Sequence, residues 1–122
     1  MTNLNDSSLR KTWERYASAW KAPSADEKRA LLDGATLPNA VYTDPLHRTE
    51  TRDALIEYML EFHRQVPGGH FETTWFMSHH GCGAARWCMR GADGTALGEG
   101  VSYVVFDDSG RLRSMTGFFE SA

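Results

Sequence analysis

The chain has 122 residues and a formal charge of −3, from 13 Lys+Arg against 16 Asp+Glu. This length holds one domain and buries about two-thirds of its surface, enough for a core without metal or disulfide staples. Hydrophobic residues at 41% and charges at 24% exclude a disordered chain, and the acidic balance lacks the basic stripe of a dedicated nucleic-acid binder.

Up to Gly68-Gly69 the apolar period is helical. Leu9, Trp13, Tyr16, Ala17 and Trp20 fall at i, i+4, i+7, i+8 and i+11, one stripe that Ser7 or Ser8 can cap and Pro23 stops. Ser24-Ala25-Asp26-Glu27 is a capping box opening a short helix through Leu31 and Leu32, with Gly34 placed to end it. Ala40 to Pro45 reads as a short strand ending at Asp44-Pro45. A third helix runs from about Arg52 to Val66, with Leu55, Met59, Phe62 and Val66 on one side and Pro67-Gly68-Gly69 as its stop.

Beyond Gly69 the signal is β. Phe71, Thr73, Trp75, Met77 and His79 alternate with Glu72, Thr74, Phe76 and Ser78. A second strand covers Ala84 to Arg90, and Ala92-Asp93-Gly94 forms a hairpin turn. A third runs from Leu97 to Phe106, and Asp107-Asp108-Ser109-Gly110 turns the chain into a fourth, Arg111 to Glu120. Segregated helices and consecutive antiparallel strands predict an α+β fold, with a strongly curved sheet whose concave face the helices cover. Gly98, Gly100 and Gly117 suit that curvature. Cys82 and Cys88, if on one strand, stand about 20 Å apart at roughly 3.3 Å per residue. A bridge needs about 7 Å, so both read as free thiols. No apolar run nears the roughly 18 residues of a membrane span. Residues 1–6 lack the basic and apolar regions of a signal peptide, so the cytoplasm is expected.

The chain resembles the SnoaL-like branch of the NTF2-like superfamily, which includes ketosteroid isomerases and polyketide cyclases. The carriers are Trp13-x-x-Tyr16-x-x-x-Trp20, Val41-Tyr42-Thr43-Asp44-Pro45, Arg86-Trp87-x-Met89, Phe106-Asp107-Asp108-Ser109-Gly110-Arg111-Leu112 and Gly117-Phe118-Phe119-Glu120. The resemblance covers about Leu9 to Glu120, and one domain over 1–122 is expected. The resemblance implies a general base at Asp44, an oxyanion donor at Tyr16 and homodimerisation through the sheet. Where ketosteroid isomerases carry a protonated aspartate, this chain has Ser102.

Each candidate has two readings. Asp44 is a turn-forming Asp-Pro or a carboxylate positioned to take a proton beside a carbonyl. Tyr16 is a core tyrosine or a donor to an enolate oxygen. Ser102 is a weak second donor or a small residue that makes room. Strand alternation assigns Trp87, Met89, Val104, Met115 and Phe119 to an apolar pocket lining, and the helices add Trp20, Met59 and Phe62, although such stripes also build cores. His47, just past Asp44-Pro45, stands where a loop would rim the pocket. His79 and His80, adjacent on a strand, point to opposite faces, and no metal-ligand spacing is present, so no metal site is expected. Cys88 should face outward, away from the pocket. The outer face carries Arg86, Cys88, Val101, Tyr103, Val105 and Phe118 and is apolar enough to want a second copy.

The leading expectation is an enzyme moving a proton on a small apolar carbonyl compound without a cofactor, as an isomerase or a cyclase. The alternatives are a non-catalytic binder of an apolar metabolite and a protein-interaction module. Neither nucleic acid nor membrane is expected as a partner.

Overall fold

The computed structural model describes residues 6–120. The reading of the first residues as lacking a leader lies largely outside that range. Three helices are formed, α1 (Asp6–Ala19), α2 (Ala25–Ala35) and α3 (Arg52–Gln65). Six strands follow the order β1 (Thr36–Thr43), β2 (Arg48–Thr49), β3 (His70–His79), β4 (Cys82–Arg90), β5 (Ala96–Phe106) and β6 (Leu112–Phe118). They make one curved, unclosed sheet in the order β2-β1-β6-β5-β4-β3. The β1–β6 pair is parallel and every other pair antiparallel, so the sheet is mixed. Two-residue β2, too short for a periodic signal, pairs with β1 at Tyr42 and Thr43.

Local chemistry sets the helix ends. Ser24 Oγ accepts the Glu27 amide at 3.1 Å, and Thr51 Oγ1 accepts the Ala54 amide at 3.1 Å, each capping its helix. Ser7 and Ser8 fall inside the first turn of α1 and do not cap it, while Asp6 accepts from the amide and hydroxyl of Ser78 on β3. Gly34 does not end α2. It lies in the last turn, where a Cβ would come 2.5 Å from Arg15 Nε, and that guanidinium donates to the Ala30 and Leu31 carbonyls.

The core joins Leu9, Trp13 and Tyr16 of α1, Leu32 of α2, and Leu55, Ile56 and Met59 of α3 to Ala85, Val104, Phe106, Leu112 and Met115 of the sheet. Lys28 is fully buried in it. Its Nζ donates to the carbonyls of Ala19 at 2.9 Å and Ala22 at 2.6 Å, where α1 ends, and lies 3.4 Å from His63 Nδ1. A cation at a helix C-terminus is favourably placed. Burial still pushes its pKa down to about 8. Buried Thr49 Oγ1 has no hydrogen-bond partner among the described residues.

Within the β3–β4 pair the alternation breaks at one place. Thr73 pairs with Trp87 and Trp75 with Arg86, so Thr74 is an extra residue in β3. Phe71 and Thr73 face the helices, Thr73 Oγ1 accepting from Trp13 Nε1 at 2.8 Å. After the bulge, Phe76 enters the core while Trp75 and Met77 turn outward. Among the described residues no helix is long and apolar enough to cross a membrane.

Candidate functional site

Asp44 follows β1 directly, and Pro45 ends the strand there. Its amide donates to the His47 carbonyl at 2.9 Å, closing a tight turn. Asp44 Oδ1 accepts the amides of Leu46 at 2.8 Å and His47 at 2.9 Å. That is the Asx-turn reading of Asp-Pro. The other carboxylate oxygen does something different. Oδ2 accepts the hydroxyls of Tyr42 at 2.6 Å and Tyr58 at 2.8 Å. Tyr42, on β1, precedes Asp44 by two, the spacing that returns a side chain to the same face of an extended chain. Tyr58 comes from α3. The His47 ring stacks on Tyr58 with centroids 4.6 Å apart and planes at 24°.

Tyr16 does not bond to Asp44. Its hydroxyl oxygen accepts from Trp20 Nε1 at 3.1 Å, and the ring is buried. It still belongs to the same electrostatic cluster, because the charge of Asp44 helps burial push the Tyr16 phenol above the usual tyrosine range. Burial likewise pushes up Tyr42 and Tyr58, reinforced by Asp44. All three phenols stay neutral at physiological pH, and Tyr42 and Tyr58 donate to Asp44.

Aromatic contacts extend from this cluster. Trp20 packs on Tyr42, Tyr58, Phe62 and Phe71 at centroid distances of 5.4–6.0 Å. Phe71 meets Trp87 edge-on at 5.0 Å, and Trp87 approaches Phe119 at 6.1 Å. Trp87 Nε1 donates to Ser102 Oγ at 3.1 Å. A Cβ built on Gly117 would lie 3.7 Å from Asp44 Cβ and 3.9 Å from Ser102 Oγ. Contacts thus run in a chain from Asp44 through Tyr58, Trp20, Phe71 and Trp87 to Ser102, whose strand partner is Gly117.

The family model for the SnoaL-like domain matches residues 13–115. The chain belongs to the SnoaL-like family. Among solved structures, a provisionally assigned isomerase of that family from Agrobacterium tumefaciens is 22% identical, with a TM-score of 0.86 over 94% of this chain and 99% of that one. A provisionally assigned polyketide cyclase from Sinorhizobium meliloti is 15% identical, with a TM-score of 0.72 over 93% and 99%. Another, a provisionally assigned SnoaL-like polyketide cyclase from Jannaschia, is 12% identical, with a TM-score of 0.76 over 98% and 92%. At these identities the likeness is one of fold. No curated protein sequence matches.

In this SnoaL-like domain the predicted lining splits in two. Trp20, Met59, Val104 and Met115 are buried core. Phe62, Trp87, Met89 and Phe119 are half-buried. Gly100 does not leave space, since a Cβ there would come 2.4 Å from the Trp87 indole; the ring fills that volume. An open groove of about 500 Å³ lies over Thr74, Arg86, Trp87, Glu99, Gly100 and Val101, apart from Asp44.

Cys88 alternates with inward-facing Trp87, yet it is buried, with Glu72 and Glu99 as its strand neighbours. His79 and His80 do not diverge. β3 ends at His79, His80 takes φ 48°, and the two Nδ1 atoms come within 3.2 Å. Among the described residues no three His, Cys, Asp or Glu side chains gather as a metal site. The expected patch holds for Val101, Tyr103 and Phe118, and the bulge adds Trp75 and Met77; all five are 38–55% exposed.

Tyr42 and Tyr58 are the residues that sequence reasoning missed. Tyr42 could have been found from the two-residue period shared with Asp44. Tyr58 flanks the Leu55, Met59 and Phe62 stripe at i+3 from Leu55, a spacing that places it on the same helix face.

Proposed function

We propose that this SnoaL-like protein is a small-molecule enzyme that moves a proton on an apolar carbonyl compound, with Asp44 as the base. The observation that carries the reading is the half-buried carboxylate at the end of β1, held by two neutral phenols and bordered by aromatic rings. A binder of apolar metabolites has no need of a carboxylate there. Proton abstraction does, together with an O–H donor for the developing enolate oxygen. Isomerisation of an enone and aldol-type cyclisation both begin with this step. The provisional isomerase and cyclase assignments of the structural relatives lie in the same range of chemistry. Ser102 acts in this reading as a support, its hydroxyl oxygen holding the Trp87 indole. Tyr16 acts through Trp20.

The test is binding of 2-naphthol, a fused-ring phenol that mimics a dienolate, followed by absorbance. Binding with phenolate character supports an oxyanion site beside Asp44. Undetectable binding across a range of fused-ring phenols contradicts it.

The outer sheet face supports a further proposal, that the protein is a homodimer. Trp75, Arg86, Val101 and Phe118 stand in one register row across four strands. Met77 and Tyr103 flank it through Ala84. An exposed apolar patch of this extent is most economically covered by a second copy.

A further inference from the structure

We infer that Tyr58 is a transferable donor: its hydroxyl holds Asp44 until a carbonyl oxygen bound beside it takes that hydroxyl over, freeing the carboxylate in the same movement that polarises the ligand. This rests on the proton-transfer reading of Asp44.

Asp44 accepts from Leu46 N, His47 N, Tyr42 Oη and Tyr58 Oη. A carboxylate offers about four lone-pair sites. All are engaged, so a proton leaving carbon has no site on Asp44 until a donor departs.

Only one of the four is free to depart. The two amides belong to the turn that the Asp44–His47 backbone bond closes, and releasing them opens the turn. Tyr42 is buried on a strand paired on both sides, with Trp20 and Tyr58 against its ring at 5.6 and 5.8 Å. Tyr58 is half-buried, stands on a helix, and makes the longer of the two phenol bonds. Its ring is covered on one side by the exposed side chain of His47. A small rotation of that phenol exchanges one oxygen acceptor for another.

The step balances without a co-reactant. The C–H bond next to the carbonyl breaks and its proton passes to Asp44 Oδ2. The electron pair moves onto the carbonyl oxygen, where the Tyr58 O–H holds it. Asp44 then returns the proton to a second carbon, and Tyr58 recovers its first acceptor.

The test uses a fused bicyclic enone labelled with ¹³C at the carbonyl. Infrared spectroscopy reads the bound carbonyl stretch, and NMR in D₂O reads exchange of the proton next to the carbonyl. In wild type the bound stretch moves to lower frequency, and the ¹³C resonance of the Asp44 carboxyl shifts on binding as it loses a donor. Tyr58→Phe abolishes the stretch shift and slows exchange about 10²-fold. Tyr42→Phe keeps the stretch shift. An unchanged stretch and rate in Tyr58→Phe overturn the transfer while leaving Asp44 as base. An Asp44 resonance unmoved by the enone in wild type overturns it without any variant. Failure of the enone to bind, or unchanged exchange in Asp44→Asn, overturns the proton-transfer reading and this inference with it.

Discussion

The Tyr58 hydroxyl lies 2.8 Å from Asp44 Oδ2, joining α3 to the end of β1. The bond spans 14 residues of sequence. It makes the third helix part of the site as well as part of its cover, and several consequences can be measured.

Tyr58→Phe removes one hydroxyl and keeps the ring against Trp20 and His47. Neutral hydrogen bonds contribute about 1 kcal/mol net, and those to charged groups about 1.5–3. Because Tyr58 is half-buried and its acceptor is a carboxylate, the expected loss is at the low end of the charged range, about 1.5 kcal/mol by urea denaturation. A loss matching removal of the whole ring would mean that the variant collapses the site.

Stability should rise and then fall with alkaline pH. Burial pushes the Lys28 ammonium down to about 8 from its usual 10.5. Between those values the unfolded chain holds a proton that the folded chain has released, so stability climbs with pH. The buried phenols of Tyr16, Tyr42 and Tyr58 act in the opposite sense. Their folded pKa values are raised, so the stability they give is complete below the usual 10.0 and drains away above it. Denaturation across alkaline pH should show a rising arm that Lys28→Met lacks. A flat wild-type profile between 8 and 10 contradicts the burial of Lys28.

Thr49→Val should stabilise the fold. The threonine is 3% exposed and its hydroxyl has no partner among the described residues. The isosteric valine removes a desolvation cost of about 1–3 kcal/mol. Thermal denaturation decides the sign. A lower melting temperature would mean that the hydroxyl is satisfied.

Gly100→Ala should destabilise by about 1–3 kcal/mol, the usual range for overpacking. The added methyl meets the Trp87 indole at 2.4 Å and the Phe118 carbonyl oxygen at 2.7 Å. The second contact is backbone and cannot rotate away. Indole fluorescence should shift with the displaced Trp87, and an unchanged spectrum would place the ring elsewhere.

Much of this was legible in the sequence. The Ser24 cap, the stop at Pro67-Gly68-Gly69 and the turn at Asp107–Gly110 are short-range signals, and each appears where the residues place it. What failed was non-local. The Thr74 bulge carries no glycine or proline, so Trp75 and Met77 gave no sign of turning outward. β1 begins at Thr36, four residues before its expected start, because Pro38 interrupts the strand pattern that its parallel pairing with β6 sustains. Asp44 was readable as a strand-end carboxylate, but its phenol partners depend on where α3 docks. The half of the predicted lining that proved to be core shows the same limit, since alternation gives the face and not the depth.

Val101→Glu places a charge at the centre of the outer row, between Arg86 and Phe118. Sedimentation velocity should show a dimer in wild type and a monomer in the variant. A monomeric wild type contradicts the proposed assembly.

Asp44 is the base that takes a proton from carbon in the proposed reaction. The most direct measurement is exchange of the proton next to the carbonyl of a bound cyclic enone in D₂O, wild type against Asp44→Asn. Asparagine keeps one oxygen for the Leu46 and His47 amides and removes the base. Exchange is expected in wild type, with a loss of about 10²-fold or more in Asp44→Asn, the usual worth of a positioned base. Equal exchange in the two proteins, with the enone bound in both, would contradict it.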